Sequence, residues 1–428
     1  MIDQGLRPDI RSAALQMDSR WPTAKAAEAG PIDVVDFFSG CGGMSAGFLS
    51  LNGEDPTYRL ALAVDTDADA LATYNRNLGP IAKQLDVFEL AKDLGKTKHL
   101  IGSVRSAPNA PLVMIGCAPC QGFSSHRNAA GDQDLRNSLF VAFARIAAAV
   151  GPDVIIAENV PEILTDRYWP LVAEARRLLS QAGYESRIAI HDMAEFGVPQ
   201  QRFRALLIAM RRPVGMPKGF LARGEFRTVR DAIGKLSKIQ PGVPSPRDAM
   251  HVTAGHRAST VETIMCVPAD GGSRPADVGP ECLRRAAAKQ GRAAYEDVYG
   301  RLWWDRPAIT MTAYSRNPAS GRYVHPEQHR GLSVREAALL QGFPSDYIFE
   351  GSFDSRFRQI GNAVPPMFAA ALGAYVAGVL RGSKDVEGCA GRDITGPVGP
   401  SFSRLIPAIK AGHRTICDAG AERRAQAA

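Results

Sequence analysis

The chain has 428 residues, 45% hydrophobic and 22% charged, with seven scattered cysteines and a formal net charge of +7. This is the composition of an ordinary globular protein, and so few cysteines over such a length exclude a disulfide framework and fit a reducing cytoplasm. The N-terminal "MIDQGLRPDIRSAALQMDSR" carries charges where a signal peptide needs an apolar core, and the longest apolar run, "MFAAALGAYVAGVL", is shorter than the roughly 18 residues of a membrane span, so neither secretion nor a membrane is expected.

Residues 1–30 show no clear periodicity and read as an N-terminal extension. "IDVVDFF" is a short apolar, β-branched run ending at glycines, a buried strand, and "MSAGFLSLNG" follows with helical spacing. "YRLALAVD" reads as a second strand and "DADALATYNRNLG" as a helix closed by glycine. "IAKQLDVFEL" holds a short third strand ending at Asp86, "APLVMIGCAPC" a fourth, and "PDVIIAENV" a fifth, with the helix "DLRNSLFVAFARIAAAVG" between the last two. After the helix "YWPLVAEARRLLSQAGY", the runs "ESRIAIHDMAEFG" and "RFRALLIAM" read as a strand pair. Strands alternating with helices imply a doubly wound, mostly parallel Rossmann-like α/β sheet covered on both faces.

The pattern breaks after Met210. Residues 211–300 are rich in Gly, Pro and Arg and hold 15 Lys/Arg against 9 Asp/Glu, nearly the whole positive excess of the chain. A basic segment inside an otherwise near-neutral protein points to a polyanionic partner, most often nucleic acid, although solvated surface arginines give the same composition. Regular patterning returns with "RPAITMT", the helix "SVREAALLQGF" and the proline-led helix "PPMFAAALGAYVAGVL". The organisation expected is therefore an extension (1–30), the first part of a catalytic and cofactor-binding domain (31–215), a small irregular domain (216–305), a return to the first domain (306–381) and a flexible C-terminal tail (382–428).

"DFFSGCGGMSAGF" places Gly40, Gly42 and Gly43 where the first strand hands over to a helix. Glycines there let the backbone turn tightly and approach a ligand closely. Asp65 ends the second strand, where a carboxylate can meet ribose hydroxyls, and Asp86 follows at the third. These residues describe a site for a nucleoside-bearing cofactor, without separating a dinucleotide from S-adenosylmethionine.

"GCAPCQGFSS" sets Cys117 and Cys120 three positions apart. Structural zinc needs four ligands, often as two close pairs, and the remaining cysteines form no second pair, so no metal is expected. A thioredoxin-like redox pair would open a helix directly, whereas a Gly-, Ser- and Arg-containing loop follows here. What separates a nucleophile from an inert thiol lies further on: "AENV" ends the fifth strand at Glu158, and "PQQRFR" supplies Gln200, Arg202 and Arg204.

The ordered set "DFFSGCGG", "PCQGFS", "ENV", "QQRFR", "RPAITMT", "SVREAALLQGFP" and "QIGNAVPP", spread over residues 32–380, resembles the DNA cytosine-5 methyltransferases of bacterial restriction-modification systems. The resemblance implies a methyl transfer from S-adenosylmethionine to C5 of a cytosine in a specific double-stranded DNA sequence. Cys120 would be the nucleophile at C6 and Cys117 a bystander, since covalent addition makes C5 enamine-like. Glu158 would share a proton with N3, and Arg204 with Arg202 would hold O2 and support the Cys120 loop. Phe38, Gly40, Cys41, Gly42, Asp65, Asp86, Leu139 and Asn362 take the positions of the family's cofactor residues. Many relatives have Glu where Asp65 stands, which shortens the reach to a ribose.

Since Cys120 cannot reach C6 inside a duplex, the target base must be flipped out. The family closes a loop over that base, and Gln121, Ser124, Ser125, His126 and Arg136, together with Gln200, are the DNA-facing positions implied. The basic window falls where the family keeps its target-recognition domain, with its core at about 245–300 and arginines on phosphates and guanine edges. A monomer partnered functionally by a cognate restriction endonuclease is the implied context. Three rivals are weaker. An RNA cytosine-5 methyltransferase would carry a Cys-Phe-Thr signature that is missing here; a catalytically silent DNA-binding relative need not keep Pro-Cys-Gln and Glu-Asn-Val; a dinucleotide oxidoreductase leaves Cys120, Glu158 and both arginines without a task.

Overall fold

The computed structural model describes residues 30–52, 57–119, 138–290, 295–382 and 393–402. Seven strands form one sheet: β1 (Ile32–Phe37), β2 (Tyr58–Asp65), β3 (Ala82–Gln84), β4 (Leu112–Gly116), β5 (Val154–Asn159), β6 (Glu185–Asp192) and β7 (Phe203–Met210). Their order is β3-β2-β1-β4-β5-β7-β6. The β1–β2, β1–β4, β2–β3 and β4–β5 pairs are parallel, while β7 runs antiparallel to both β5 and β6. The winding direction reverses between β1 and β4, which opens a crevice at the carboxyl ends of the strands.

The central strands β1, β4 and β5 are buried at every position, which explains why they read as unbroken apolar runs rather than alternating ones. Alternate side chains serve two cores. On β7, Phe203, Ala205, Leu207 and Ala209 join one apolar cluster, and Leu206, Ile208 and Met210 join the other. Helices α1 (Gly43–Leu49), α2 (Ala68–Leu78), α3 (Val87–Lys92), α4 (Leu94–Val104), α5 (Leu139–Val150) and α6 (Trp169–Gln181) link the strands. Helix α4 was not anticipated from the sequence. Asp86 does not end β3 as expected; the strand stops at Gln84, and the Asp86 side chain caps α3 by accepting the Phe88 amide at 2.7 Å.

The irregular region holds the short helices α7 (Val229–Ile233), α8 (Ala258–Met265) and α9 (Glu281–Gln290). Its packing does not stop at residue 305: Leu302 and Trp304 share an apolar cluster with Met311, Tyr323 and Leu340. Buried arginines replace much of the missing regular structure. Arg301 donates to the carbonyls of Val267, His325, Gln328 and Ile264 and to the His329 ring, and Arg274 donates to Pro275 and Val278. Arg274, one of the 15 Lys/Arg of the basic window, is thus spent inside the protein, as is Arg301 just beyond it.

Three helices close the fold: α10 (Val334–Leu340), α11 (Phe353–Asn362) and α12 (Pro366–Leu380). Ser333 and Glu336 form a capping box at the start of α10. Burial alone would raise the Glu336 carboxyl, but the bidentate Arg330 guanidinium, at 2.7 Å to each oxygen, holds it at about 2. The apolar helix α12 is buried along most of its length against the sheet, as a core helix.

Candidate active site

The crevice contains a cavity of about 470 Å³ that runs from the ends of β1 and β2 to the ends of β5 and β7. Its first end is shaped by the turn after β1. Phe38 (φ 56°) and Gly40 (φ 51°) adopt left-handed backbone conformations, and Gly42 does so at φ 87°. A Cβ on Gly42 would lie 2.5 Å from Leu78 and 2.9 Å from Tyr74, and one on Gly43 would lie 2.3 Å from the Val364 carbonyl. These two glycines therefore let the turn sit directly on α2 and on the segment joining α11 to α12.

Asp65 ties this turn to the next loop. One carboxylate oxygen accepts the Gly40 amide at 2.8 Å, and the other accepts the Thr66 and Asp67 amides at 2.7 and 2.9 Å. Burial raises its pKa, against the lowering effect of those amides. Asp67 caps α2 and pairs with Arg358 of α11 at 2.9 Å. Asp86, Leu139 and Asn362 line the same cavity. Of the expected cofactor residues, Phe38, Gly40, Cys41, Asp65, Asp86, Leu139 and Asn362 are brought together there, while Gly42 supports the turn from behind.

The other end is built from charged side chains. Glu158, near the end of β5, is 9% exposed, and its carboxylate lies 3.0 Å from Arg204 Nε on the neighbouring strand. That oxygen is close in charge but receives no well-aligned hydrogen bond among the described residues. Burial raises the Glu158 pKa, while Arg204 and then Arg202 pull it down. Arg202 is more deeply set, donating to the carbonyls of Met311, Gly361 and Ala363, so it also fixes the late segments to the strand. The next residue on β5, Asn159, donates from Nδ2 to the Ala118 carbonyl at 3.2 Å, holding the chain two residues before Cys120.

Cys117, Ala118 and Pro119 line this end. The Cys117 thiol is pushed well above its usual range by burial, with Glu158 and Asp36 adding to the shift. A thiol so placed is a poor nucleophile. Cys120, Gln121, Ser124, Ser125, His126 and Arg136 lie outside the described residues.

Gln200, expected at a DNA-facing position, has both ends of its side-chain amide engaged inside the protein. It is fully buried, donating to the Leu340 carbonyl and to Gln341 Oε1 and accepting the Met311 amide, so its amide stitches the β6–β7 turn to the returning segment. Three charged cavity residues, Asp36, Asp67 and Arg358, were not singled out from the sequence. Arg358 sits on α11, and Asp36 sits inside the otherwise apolar β1. Asp36 accepts the Ser45 hydroxyl at 2.6 Å through one oxygen, while the other is buried without a hydrogen-bond partner among the described residues. Burial, offset in part by Ser45 and reinforced by Asp65, raises its pKa to about 7. A charged residue within a buried strand was the available signal.

Among the described residues no cluster of three or more His, Cys, Asp or Glu is arranged to hold a metal ion. A family model for the C-5 cytosine-specific DNA methylases matches residues 32–377. The type II methylase M.HgiDII of Herpetosiphon aurantiacus is 32% identical over 361 residues, covering 80% of this chain and 93% of that protein. The type II methyltransferase M1.HphI of Haemophilus parahaemolyticus is 31% identical over 345 residues, covering 80% and 86%. Among solved structures, a prophage-encoded DNA modification methyltransferase from E. coli superposes with a TM-score of 0.62 at 23% identity, covering 82% of this chain and 99% of that one. The S. pombe Dnmt2 methyltransferase gives 0.52 at 18% identity, covering 82% and 98%. With a match that spans the sheet, both ends of the cavity and the returning helices, the chain belongs to the C-5 cytosine-specific DNA methylases.

Proposed function

We propose that the protein transfers a methyl group from S-adenosylmethionine to C5 of a flipped-out cytosine in a specific double-stranded DNA sequence, through a transient bond between Cys120 and C6. The observation that carries this reading is the pairing of buried Glu158 with half-buried Arg204, 3.0 Å apart in the same cavity as the glycine turn and beside the chain leading into Cys120.

The residues at the first end fit the cofactor. The glycine turn leaves main chain exposed to a ligand, Asp65 and Asp86 offer carboxylates, and the unpartnered oxygen of Asp36 suits a cationic group such as an amino acid's ammonium. S-adenosylmethionine bound there would supply an electrophilic methyl group. Phe38, Leu139 and Val364 would exclude water from it.

At the second end, Cys120 as thiolate adds to C6, and electron density moves toward N3 and O2 of the base. Glu158 meets this change in its protonated form, donating to N3; burial raises its pKa toward the range in which it can do so. Arg204 supplies fixed positive charge for O2. After transfer, loss of the C5 proton and elimination of the thiol restore the base and Cys120. The irregular region would read the sequence, and the methylated site would be protected from a cognate restriction endonuclease in a bacterial cytoplasm, the protein acting as a monomer.

Incubating the protein with S-adenosylmethionine and a plasmid library, followed by bisulfite sequencing, tests the reading. One short motif carrying a methylated cytosine supports it. Intact cofactor binding with no methylated cytosine in DNA contradicts it, and the same assay on RNA then tests the RNA branch.

A further inference from the structure

The segment 393–402 falls in the stretch expected to be a loose tail, yet it lies docked along the far side of the sheet. Edge strand β6 would otherwise leave main-chain groups unpaired there. The Ile188 amide donates to Asp393 at 2.8 Å, and the Ile394 amide donates back to the Ile188 carbonyl at 2.9 Å. Arg176 of α6 clamps the crossing by donating to Asp393, to the Ile394 carbonyl and to the Ser186 carbonyl.

From there the chain runs toward the reactive end of the cavity. The Val398 amide donates to the Leu164 carbonyl at 3.0 Å, and the Asp166 amide donates to the Gly399 carbonyl at 3.1 Å. Both contacts grip the segment that directly follows Glu158, Asn159 and Val160. The crossing ends at Phe402, which is fully buried, its ring centroid 6.1 Å from that of Phe203. Phe203 lies between Arg202 and Arg204 and points to the opposite face of the sheet. Phe402 therefore backs the strand end whose front carries Arg204, and the 398–399 crossing backs the chain that leaves Glu158.

We propose that residues 393–402 are a positioning strap for the base-binding end of the site, with Phe402 as its key side chain, so that attack on the cytosine depends on a C-terminal segment that touches no substrate. The inference rests on the proposed roles of Glu158, Arg204 and Cys120. The link to Cys120 is direct in the chain of contacts: the strap holds residues 164–166, these follow Asn159, and Asn159 holds the Ala118 carbonyl. The hydrogen bonds described above tie the strap to β6, to α6 and to residues 164–166 rather than to β1 or β2, so the two ends should respond differently.

The test compares full-length wild type with Phe402→Ala, Phe402→Leu and Asp393→Ala. Three quantities are measured: the dissociation constant for S-adenosylmethionine, kcat and KM for DNA methylation, and the single-turnover rate of covalent adduct formation with DNA containing 5-fluorocytosine. A small misplacement of reacting groups costs on the order of tenfold to a hundredfold in rate. Phe402→Ala is expected to slow adduct formation and kcat by about tenfold or more, with cofactor affinity within about twofold of wild type. Phe402→Leu should restore most of the rate by refilling the space. Should Phe402→Ala give no folded protein, Asp393→Ala carries the test, with a smaller fall in the same direction. An unchanged kcat in the variants overturns the strap. So does a loss of cofactor affinity that parallels the loss of rate, because the segment would then support the whole fold. A wild-type chain that forms no adduct overturns the reading beneath the proposal, an outcome distinguished by the wild-type arm alone.

Discussion

At the β1–β2 end of the cavity the working surface is main chain, shaped by side chains that are absent: a Cβ on Gly43 would strike the Val364 carbonyl at 2.3 Å. At the β5–β7 end the surface is charge, with the buried Glu158 lying 3.0 Å from the half-buried Arg204. On the proposed function, the difference follows from what each end would have to do. A cofactor held in its ground state needs shape and a few fixed acceptors. A ring that gains and loses charge needs groups whose proton can move and whose positive charge is already in place. Substitutions at the two ends should therefore separate into loss of rate and loss of affinity or stability.

The largest expected effect is at the charged end. Glu158→Gln keeps the shape and can no longer pass a proton, so kcat should fall by about 10²–10⁴-fold, with the calorimetric affinity for S-adenosylmethionine unchanged. Arg204→Lys retains charge but not the fork beside Glu158, and kcat should fall about 10²-fold. A matching loss of cofactor affinity in either variant would break the division. At the main-chain end, Gly43→Ala must push backbone against backbone. Thermal unfolding should show a loss of about 1–3 kcal/mol, and cofactor affinity should weaken before the chemical step does.

The smallest expected effect is a pH dependence. Asp36 has a folded pKa of about 7, against 3.8 as the ordinary value. The native state thus keeps a proton that the unfolded chain releases between these values, and this group's contribution to stability declines as pH rises through that window. A cationic ligand group prefers the ionised form. Affinity for S-adenosylmethionine should therefore rise about fivefold from pH 6 to about pH 7.5, before the ligand's own α-amino group loses its proton, and Asp36→Asn should flatten the profile in calorimetric titrations.

These sites were not equally legible in the amino-acid sequence. The buried parallel strands stood out because β1, β4 and β5 have no solvent face and read as continuous apolar runs. Glu158 and Arg204 stood out through motifs at strand ends, where the register of β5 against β7 then brings them together. The burial of Gln200 was not legible, because its motif neighbours line the cavity while its own amide is spent on Leu340, Gln341 and Met311. The burial of Arg274 and Arg301 was hidden for a related reason. Composition counts charge without direction, and Arg274 and Arg301 point inward to carbonyls. The docking of residues 393–402 could not be read at all, since a Gly- and Pro-rich stretch carries no period, and its anchors at Ile188, Leu164 and Phe203 are set by tertiary contact.

The central claim is that Cys120 and the charged end of the cavity act together on a cytosine. It is tested most directly by mixing the full-length protein with labelled S-adenosylmethionine and duplex DNA in which 5-fluorocytosine replaces cytosine, beside a Cys120→Ser variant. Fluorine blocks the final elimination, so wild type should remain covalently attached to methylated DNA while the variant yields no adduct. Wild type that binds the cofactor but forms no adduct, or a variant that forms as much as wild type, would contradict the account.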